Sequence, residues 1–503
     1  MVKRMKMKKY IQSMMAFAAI VSFASCSSED NNTTIENESA TKVMTFTATQ
    51  EGDEQSTRAA ISTSDSKVIN WEEGDQISIF DGTKNNQFTL KNGAGTKSAT
   101  FQGVAASAET YTAVYPYQSE ATLSGTSVKN VTLKATQNAT ANSFDKEAAL
   151  MIAEGDNTTL TFKNVVGYVK VKPKFACSKI VLQAANSNEY LAGRCTLSYG
   201  EGMPSIAFTS EQSTSITLSG NITANTAYYI AVPAVTLSAG WSISFTDKTG
   251  DVYTRTGSNS ITFKRNTIIN LGEFSRTDNN LKLTLTQNGN VSADKQVDMG
   301  VFEINGKNYR LIFAKSNLTK EGLAANEYDY GDYFAWGATE PWYSSATQTW
   351  KNDKPGGYTT DNAPFYNSST ESYTKYTPGD ALEASDDAAR QILKGDWRIP
   401  TTEIWAALVN NSTKVWDSTN KGYQFTKNSQ TLFLPAAGYV WGTSFKNVGS
   451  RGRYWSGTTA SLKDNADYLH FDNVNLNAQD MGSRSQGFPV RPVRLVEVSQ
   501  SQQ

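Results

Sequence analysis

Thiols, one imidazole and clustered carboxylates are the side chains of this sequence that could do chemistry. Cys26 is the most informative of them. Lys3, Arg4, Lys6, Lys8 and Lys9 precede it, followed by an apolar run from Ile11 to Phe23 and the small residues Ala24 and Ser25. Ser27, Ser28, Glu29 and Asp30 come directly after it. A basic segment, a short apolar segment and small residues before a cut site are the parts of a secretory signal. The run is shorter than the ~20 residues a spanning helix needs. A thiol at the cut site can accept lipid in exchange for the signal, and lipid holds a soluble domain at a membrane surface. The alternative is an ordinary cleaved signal with an incidental Cys. The expected layout is a signal over 1–25 and a polar tether over 26–41.

The chain has 3 Cys. Cys177 and Cys195 lie symmetrically about Asn186, within a polar turn region, so a hairpin there would set them opposite each other. That spacing suits a disulfide in an oxidising compartment. Two buried free thiols are the alternative. The single His, His470, sits in the strand-like stretch Tyr468–Phe471 and reads as a packed strand residue. No G-x-S-x-G stretch accompanies it, and no Cys/His spacing suits a metal. Asp386, Asp387, Asp329 and Asp332 offer oxygens of the kind calcium takes, but helix capping and loop solvation explain them more simply. No acid pair stands out as a glycosidase couple. The expectation is a protein without enzymatic chemistry, cofactor or metal.

The elements that must carry these residues are mostly strands. Lys plus Arg is 47 and Asp plus Glu is 48, so no basic face is advertised and nucleic acid is not an expected partner. Short alternating segments such as Val43–Thr49, Gln76–Phe80, Tyr111–Tyr115, Val166–Val171 and Tyr228–Val232 are separated by Gly, Asn and Asp. Repeated short strands without long helical patterns predict β-sandwiches. Of the 10 Trp, only Trp71 and Trp241 precede residue 280, which marks a boundary near 276–280. Beyond it, Asn305-Gly306 between two strand-like runs predicts a type I′ hairpin. Ser385 is placed to cap a helix over Asp386–Lys394, and Thr401 one over Thr402–Asn410.

The segment from Glu340 to Pro378 is rich in aromatic rings among Ser, Thr, Asn and Gly. Such a mixture suits recognition, since rings anchor and short polar groups adapt. Trp342, Trp350, Tyr358 and Tyr366 are the candidate ligand-binding residues. Trp336, Trp397 and Trp455 are expected in the core.

Three resemblances bear on this reading. The residues around Cys26 resemble the lipobox of bacterial lipoproteins, with Phe23 where Leu is usual, and Ser27-Ser28-Glu29-Asp30 is similar to the tag that exports lipoproteins of the Bacteroidetes to the cell surface. This implies a lipid-anchored protein of the outer membrane. Trp71-Glu72-Glu73-Gly74-Asp75-Gln76-Ile77, Tyr115-Pro116-Tyr117, Leu160-Thr161-Phe162-Lys163-Asn164 and Ile268-Ile269-Asn270-Leu271-Gly272 resemble fimbrillin-like proteins over about residues 42–276. That likeness implies two transthyretin-like β-sandwiches, 42–156 and 157–276, and kinship with subunits of type V pili. It also implies processing by an Arg-specific protease, for which Arg58 is the matching candidate, and partnership with other fimbrillin subunits by donor-strand addition. An unprocessed lipoprotein is the alternative.

Tyr330–Thr339, Asp396-Trp397-Arg398-Ile399-Pro400-Thr401, Leu434-Pro435-Ala436-Ala437-Gly438, Arg453-Tyr454-Trp455-Ser456 and Gly487–Val493 are similar, in order, to the Fibrobacter-type major paralogous domain. The likeness implies a C-type-lectin-like α+β domain over 281–498. The whole reads as a mainly β surface lipoprotein for adhesion or recognition, as a tip or accessory pilus subunit. A glycan or a host surface protein is the expected ligand. The alternatives are a glycan-binding lipoprotein outside any pilus and a structural spacer.

Overall fold

Seven strands close the first core, some alternating inward and outward and two buried along nearly their whole length. The computed structural model describes residues 41–51, 70–82, 84–200 and 202–498. Cys26 and Arg58 lie outside the described residues. The first strands are β1 (Lys42–Gln50), β2 (Gln76–Phe80), β3 (Asn85–Asn92), β4 (Ser98–Ala105) and β5 (Tyr111–Tyr115). They close a barrel in the order β1, Thr159–Asn164, Met151–Gly155, β5, β2, β3, β4. β1 runs antiparallel to β4, with Phe46 opposite Phe101, and parallel to Thr159–Asn164. Met44, Phe46 and Ala48 point in while Val43 is exposed, the period of two that a half-buried strand requires.

The Trp71–Asp75 motif has a clear local cause. Trp71 is fully buried and meets Phe101, Tyr115 and Phe162 edge-on at 5.1–5.5 Å. Gly74 takes φ +83°, a left-handed value that favours glycine. Asp75 then closes the turn by accepting from Glu72 N at 2.8 Å, and the Tyr115 hydroxyl donates to it at 3.2 Å.

The sequence suggested a division between sandwiches at residue 156. The first core runs past it, taking in Leu160, Phe162, Val166 and Tyr168. The strand Val166–Pro173 then serves two cores. Val166 and Tyr168 face the first, while Val169 and Val171 face the second. Opposite faces of one pleated strand make this possible. Strands also cross over: Thr136–Asn138 joins Ser215–Ile222, and Ser127–Leu133 joins Ala192–Gly200. Gln137 is fully buried and pairs with Ala231 N and O at 2.9 and 2.8 Å, satisfying a backbone that has no strand beside it there.

This crossing decides the thiols. Cys177 lies on Cys177–Ala184, paired with Ser215–Ile222 and Trp241–Asp247, in the second core. Cys195 lies on Ala192–Gly200, paired with Met203–Ser213 and Ser127–Leu133, in the first core. The expected hairpin between them does not form, and both thiols are free and buried. The disulfide alternative is therefore corrected: adjacency in sequence became separation into two sheets. Burial pushes both thiols up to about 12. Folded protein at pH 8 should leave both unalkylated by iodoacetamide, and denaturation without reductant should expose both. Mass spectrometry showing a loss of two hydrogens at these positions would contradict this.

In the C-terminal region the chain ends meet. Gln296–Ile304, Lys307–Ala314 and Val493–Val498 form one sheet, turned at Asn305 (φ 51°) and Gly306 (φ 74°) as the Asn-Gly pair predicts. Two short helices follow, α1 (Ala388–Leu393) and α2 (Thr402–Asn410). The cap of α1 is Asp387 rather than Ser385: its carboxylate accepts from Ala389 N and Arg390 N, and also from Ile399 N at 2.9 Å. Thr401 occupies the cap position of α2 without a side-chain bond. Trp336, Trp397, Trp405 and Trp455 are buried in the two largest cores of this region.

No loose linker separates this region from the second sandwich. Lys282–Thr284 continues its six-stranded sheet beside Val252–Gly257. Arg494 and Asp251, both fully buried, pair through two nitrogen–oxygen contacts at 2.7 and 3.1 Å. Gln296 accepts from the same guanidinium at 2.8 Å. Arg276 adds a bond to Asp247 at 2.8 Å and lies over the Phe175 ring. From Thr41 onward the chain forms one compact unit.

Candidate functional site: an aromatic cleft in the C-terminal region

Short paired hairpins shape one concave part of this region's surface. Leu318–Thr319 pairs with Gly322–Leu323, Tyr343–Ser344 with Thr349–Trp350, and Tyr439–Trp441 with Ser444–Lys446. Asp332 ties the first two together. It is buried and accepts from Lys320 N at 2.8 Å, from Ser345 N at 2.9 Å and from the Ser345 hydroxyl. Gly331 brings it there. A Cβ on Gly331 would lie 2.6 Å from the Leu318 carbonyl oxygen, and its φ is +70°, so only glycine fits the approach.

Three cavities of about 390, 610 and 470 Å³ adjoin along these hairpins. Ser345 lines all three. Thr319 is shared by the first two, and Tyr330 and Gly331 by the last two. Their shared lining sets the three side by side as a cleft, each in the size range of small-molecule sites. At one end stands Phe445, 41% exposed. Tyr333, Tyr343 and Trp350 hold its ring, with centroids at 5.4, 5.1 and 6.4 Å.

The four rings singled out from sequence divide. Trp342 and Tyr358 are buried and stacked, centroids 4.7 Å apart. The Tyr358 hydroxyl donates to the Tyr333 carbonyl and accepts from Trp342 N at 3.0 Å. These two rings are corrected to structural: they fold the long loop onto the domain. Trp350 is half-buried and lines the first cavity. Tyr366 is half-buried against Tyr373 at 5.3 Å and lines none of the three cavities. The cavity-lining rings that sequence reasoning missed are Tyr328, Tyr330, Tyr333, Tyr343 and Phe445. One signal was available: Trp342 and Tyr343 are consecutive, and only one of two neighbours in extended chain faces the core. Phe445 lies about a hundred residues away from Tyr343 in sequence, and the bridge of Tyr358 to Gly442 helps bring its hairpin to the loop.

Asp386 and Asp329, two of the acids weighed for calcium, are held by neighbours. Asp386 pairs with Lys375 at 2.6 Å and accepts from the Tyr376 hydroxyl. Asp329 accepts from Asn326 N at 2.8 Å. Among the described residues no group of three His, Cys, Asp or Glu is placed to hold a metal ion. His470 Nδ1 lies 3.2 Å from Asp480, and burial lowers its pKa. Arg491 is fully buried without a carboxylate among its hydrogen-bond partners, donating to Asn317 and to the Ala314 and Lys315 carbonyls, and burial brings its pKa down to about 10. Both arginines of the closing segment thus secure the frame rather than the cleft.

No family model matches the chain, and no curated protein matches it. Solved structures do show likeness. A fimbrial protein from Bacteroides ovatus is similar at 12% identity over 89% of this chain and 98% of its own, with a TM-score of 0.28. A candidate cell adhesion protein from Bacteroides uniformis is 17% identical over 42% of this chain and 91% of its own, with a TM-score of 0.30. The tip fimbrial protein Mfa3 from Porphyromonas gingivalis, truncated at its C-terminus, is 11% identical over 48% of this chain and 98% of its own, with a TM-score of 0.23.

Proposed function

We propose that this chain is a cell-surface adhesion protein, a pair of transthyretin-like sandwiches carrying a C-type-lectin-like recognition head. The observation that carries this reading is the cleft: packed rings and hydroxyls line adjoining cavities in a region joined to the second sandwich through its sheet and the buried Asp251–Arg494 pair. The signal and lipobox pattern at Cys26 support anchoring by lipid at the outer membrane. The ordered fimbrillin-like motifs support kinship with pilus subunits. Cells displaying the full chain should adhere to their target surface, and Tyr343→Ala with Phe445→Ala should reduce adherence about tenfold at equal surface level. Unchanged adherence would contradict the head reading and favour a structural spacer.

A second reading concerns assembly. β1 sits between two partners in the barrel, so its removal would leave an open groove. Arg58 follows β1 closely in sequence, which supports processing and acceptance of a strand from another subunit. An intact N-terminus on mature surface protein would contradict it.

A further inference from the structure

We infer that the cleft takes a neutral oligosaccharide chain, laid across Ser345 with one sugar face on Phe445, and needs no metal ion to do so. The inference rests on the head reading and specifies its ligand. The shape comes first. Three cavities meeting at one residue accommodate consecutive units of a chain better than a single compact ligand. The apolar contact comes next. Phe445 is exposed yet braced by three rings, so its face is presented without ordering cost, and the carbon face of a pyranose is the flat, weakly apolar surface that such a ring fits.

Much of the polar lining is uncharged. Thr319, Ser344, Ser345, Thr347, Thr349 and Gln348 reach the cavities. Ser345 donates its proton to Asp332, which leaves the hydroxyl oxygen to accept from a ligand hydroxyl. Charge is balanced. Lys351 is paired with Glu340, Lys320 is next to Glu321, and Asp329 and Asp332 would oppose an anionic ligand. An extended peptide gains little here. The strands that reach the cleft are two or three residues long and offer scarcely any edge for backbone pairing. Metal bridging of sugar hydroxyls is not required by this geometry, since no three acids converge among the described residues.

The test is calorimetric titration of the full chain, in mild detergent, with xylohexaose, mannohexaose, cellohexaose and maltoheptaose, each beside its disaccharide. A tri-galacturonate and an unstructured Ser/Thr-rich peptide are the charged and peptide probes. The expected result is binding of at least one neutral oligomer, tighter than its disaccharide by about tenfold and unchanged by EDTA. Phe445→Ala should weaken it about tenfold while the melting temperature stays put, and Phe445→Tyr should retain it. No binding of any neutral oligomer, loss of binding in EDTA, indifference to Phe445→Ala, or binding of only the charged or peptide probe would each overturn the inference. If adherence still depends on Phe445 while no neutral oligomer binds, the head reading stands and the sugar assignment falls. If adherence ignores Phe445, the head reading itself falls.

Discussion

Asp251→Ala is expected to destabilise the protein by about 3–5 kcal/mol, the range seen when one partner of a buried ion pair is removed. Asp251 and Arg494 are both fully buried, and Asp251 also accepts from Thr286 N at 3.0 Å. Removing the carboxylate strands a guanidinium in the interior, with only Gln296 to receive it. The double variant Asp251→Leu with Arg494→Met should recover most of the loss, because two apolar groups of similar size need no partner. Urea unfolding followed by tryptophan fluorescence reads both. Loss below about 1 kcal/mol in Asp251→Ala would show that the joint between sandwich and C-terminal region bears little load. Since Asp251 belongs to the sandwich side, residues 281–503 expressed alone should inherit the same unpaired arginine. The binding experiments therefore call for the full chain.

Excision of β1 should have an effect of similar size. Cutting after Arg58 and releasing the strand removes the buried Phe46, worth about 1.5–3 kcal/mol by burial alone. It also removes ladder bonds on both sides, each worth about 0.5–1.5 kcal/mol net. Glu51 would leave with it, and with it the partner of Arg265. Against a typical total of about 5–15 kcal/mol, the first barrel should melt well below the intact protein. A synthetic peptide of residues 42–50 should restore the melting temperature, and the same peptide with Phe46→Ser should not. A cut protein that melts like the intact one would show that β1 is dispensable to the barrel.

Local features were legible before any fold was known. β1 alternates because Met44, Phe46 and Ala48 are apolar at every second position. The Asn305-Gly306 turn forms because both residues accept positive φ. The span of α2 follows Pro400, with Thr401 at its cap position. Features that depend on which sheet a strand joins were not. Cys177 and Cys195 look like hairpin partners from their spacing, yet crossing strands place them in different sheets.

The aromatic loop shows the same limit at the candidate site. Its composition identified a region rich in rings, and several of the hydroxyls that line the cleft are written there too. Composition cannot say which rings turn inward. Trp342 and Tyr358 went to the core, while Tyr343 and the distant Phe445 went to the cleft. The sequence by itself determined a mainly β chain, its turns, its large buried tryptophans and a thiol at the end of a signal-like segment. The tertiary structure alone decided strand partners, the free thiols, the buried Asp251–Arg494 joint and the membership of the cleft. The physical reason is range. Alternation, turn preference and capping act within a few residues, whereas burial and ion pairing depend on neighbours that only the folded chain brings together.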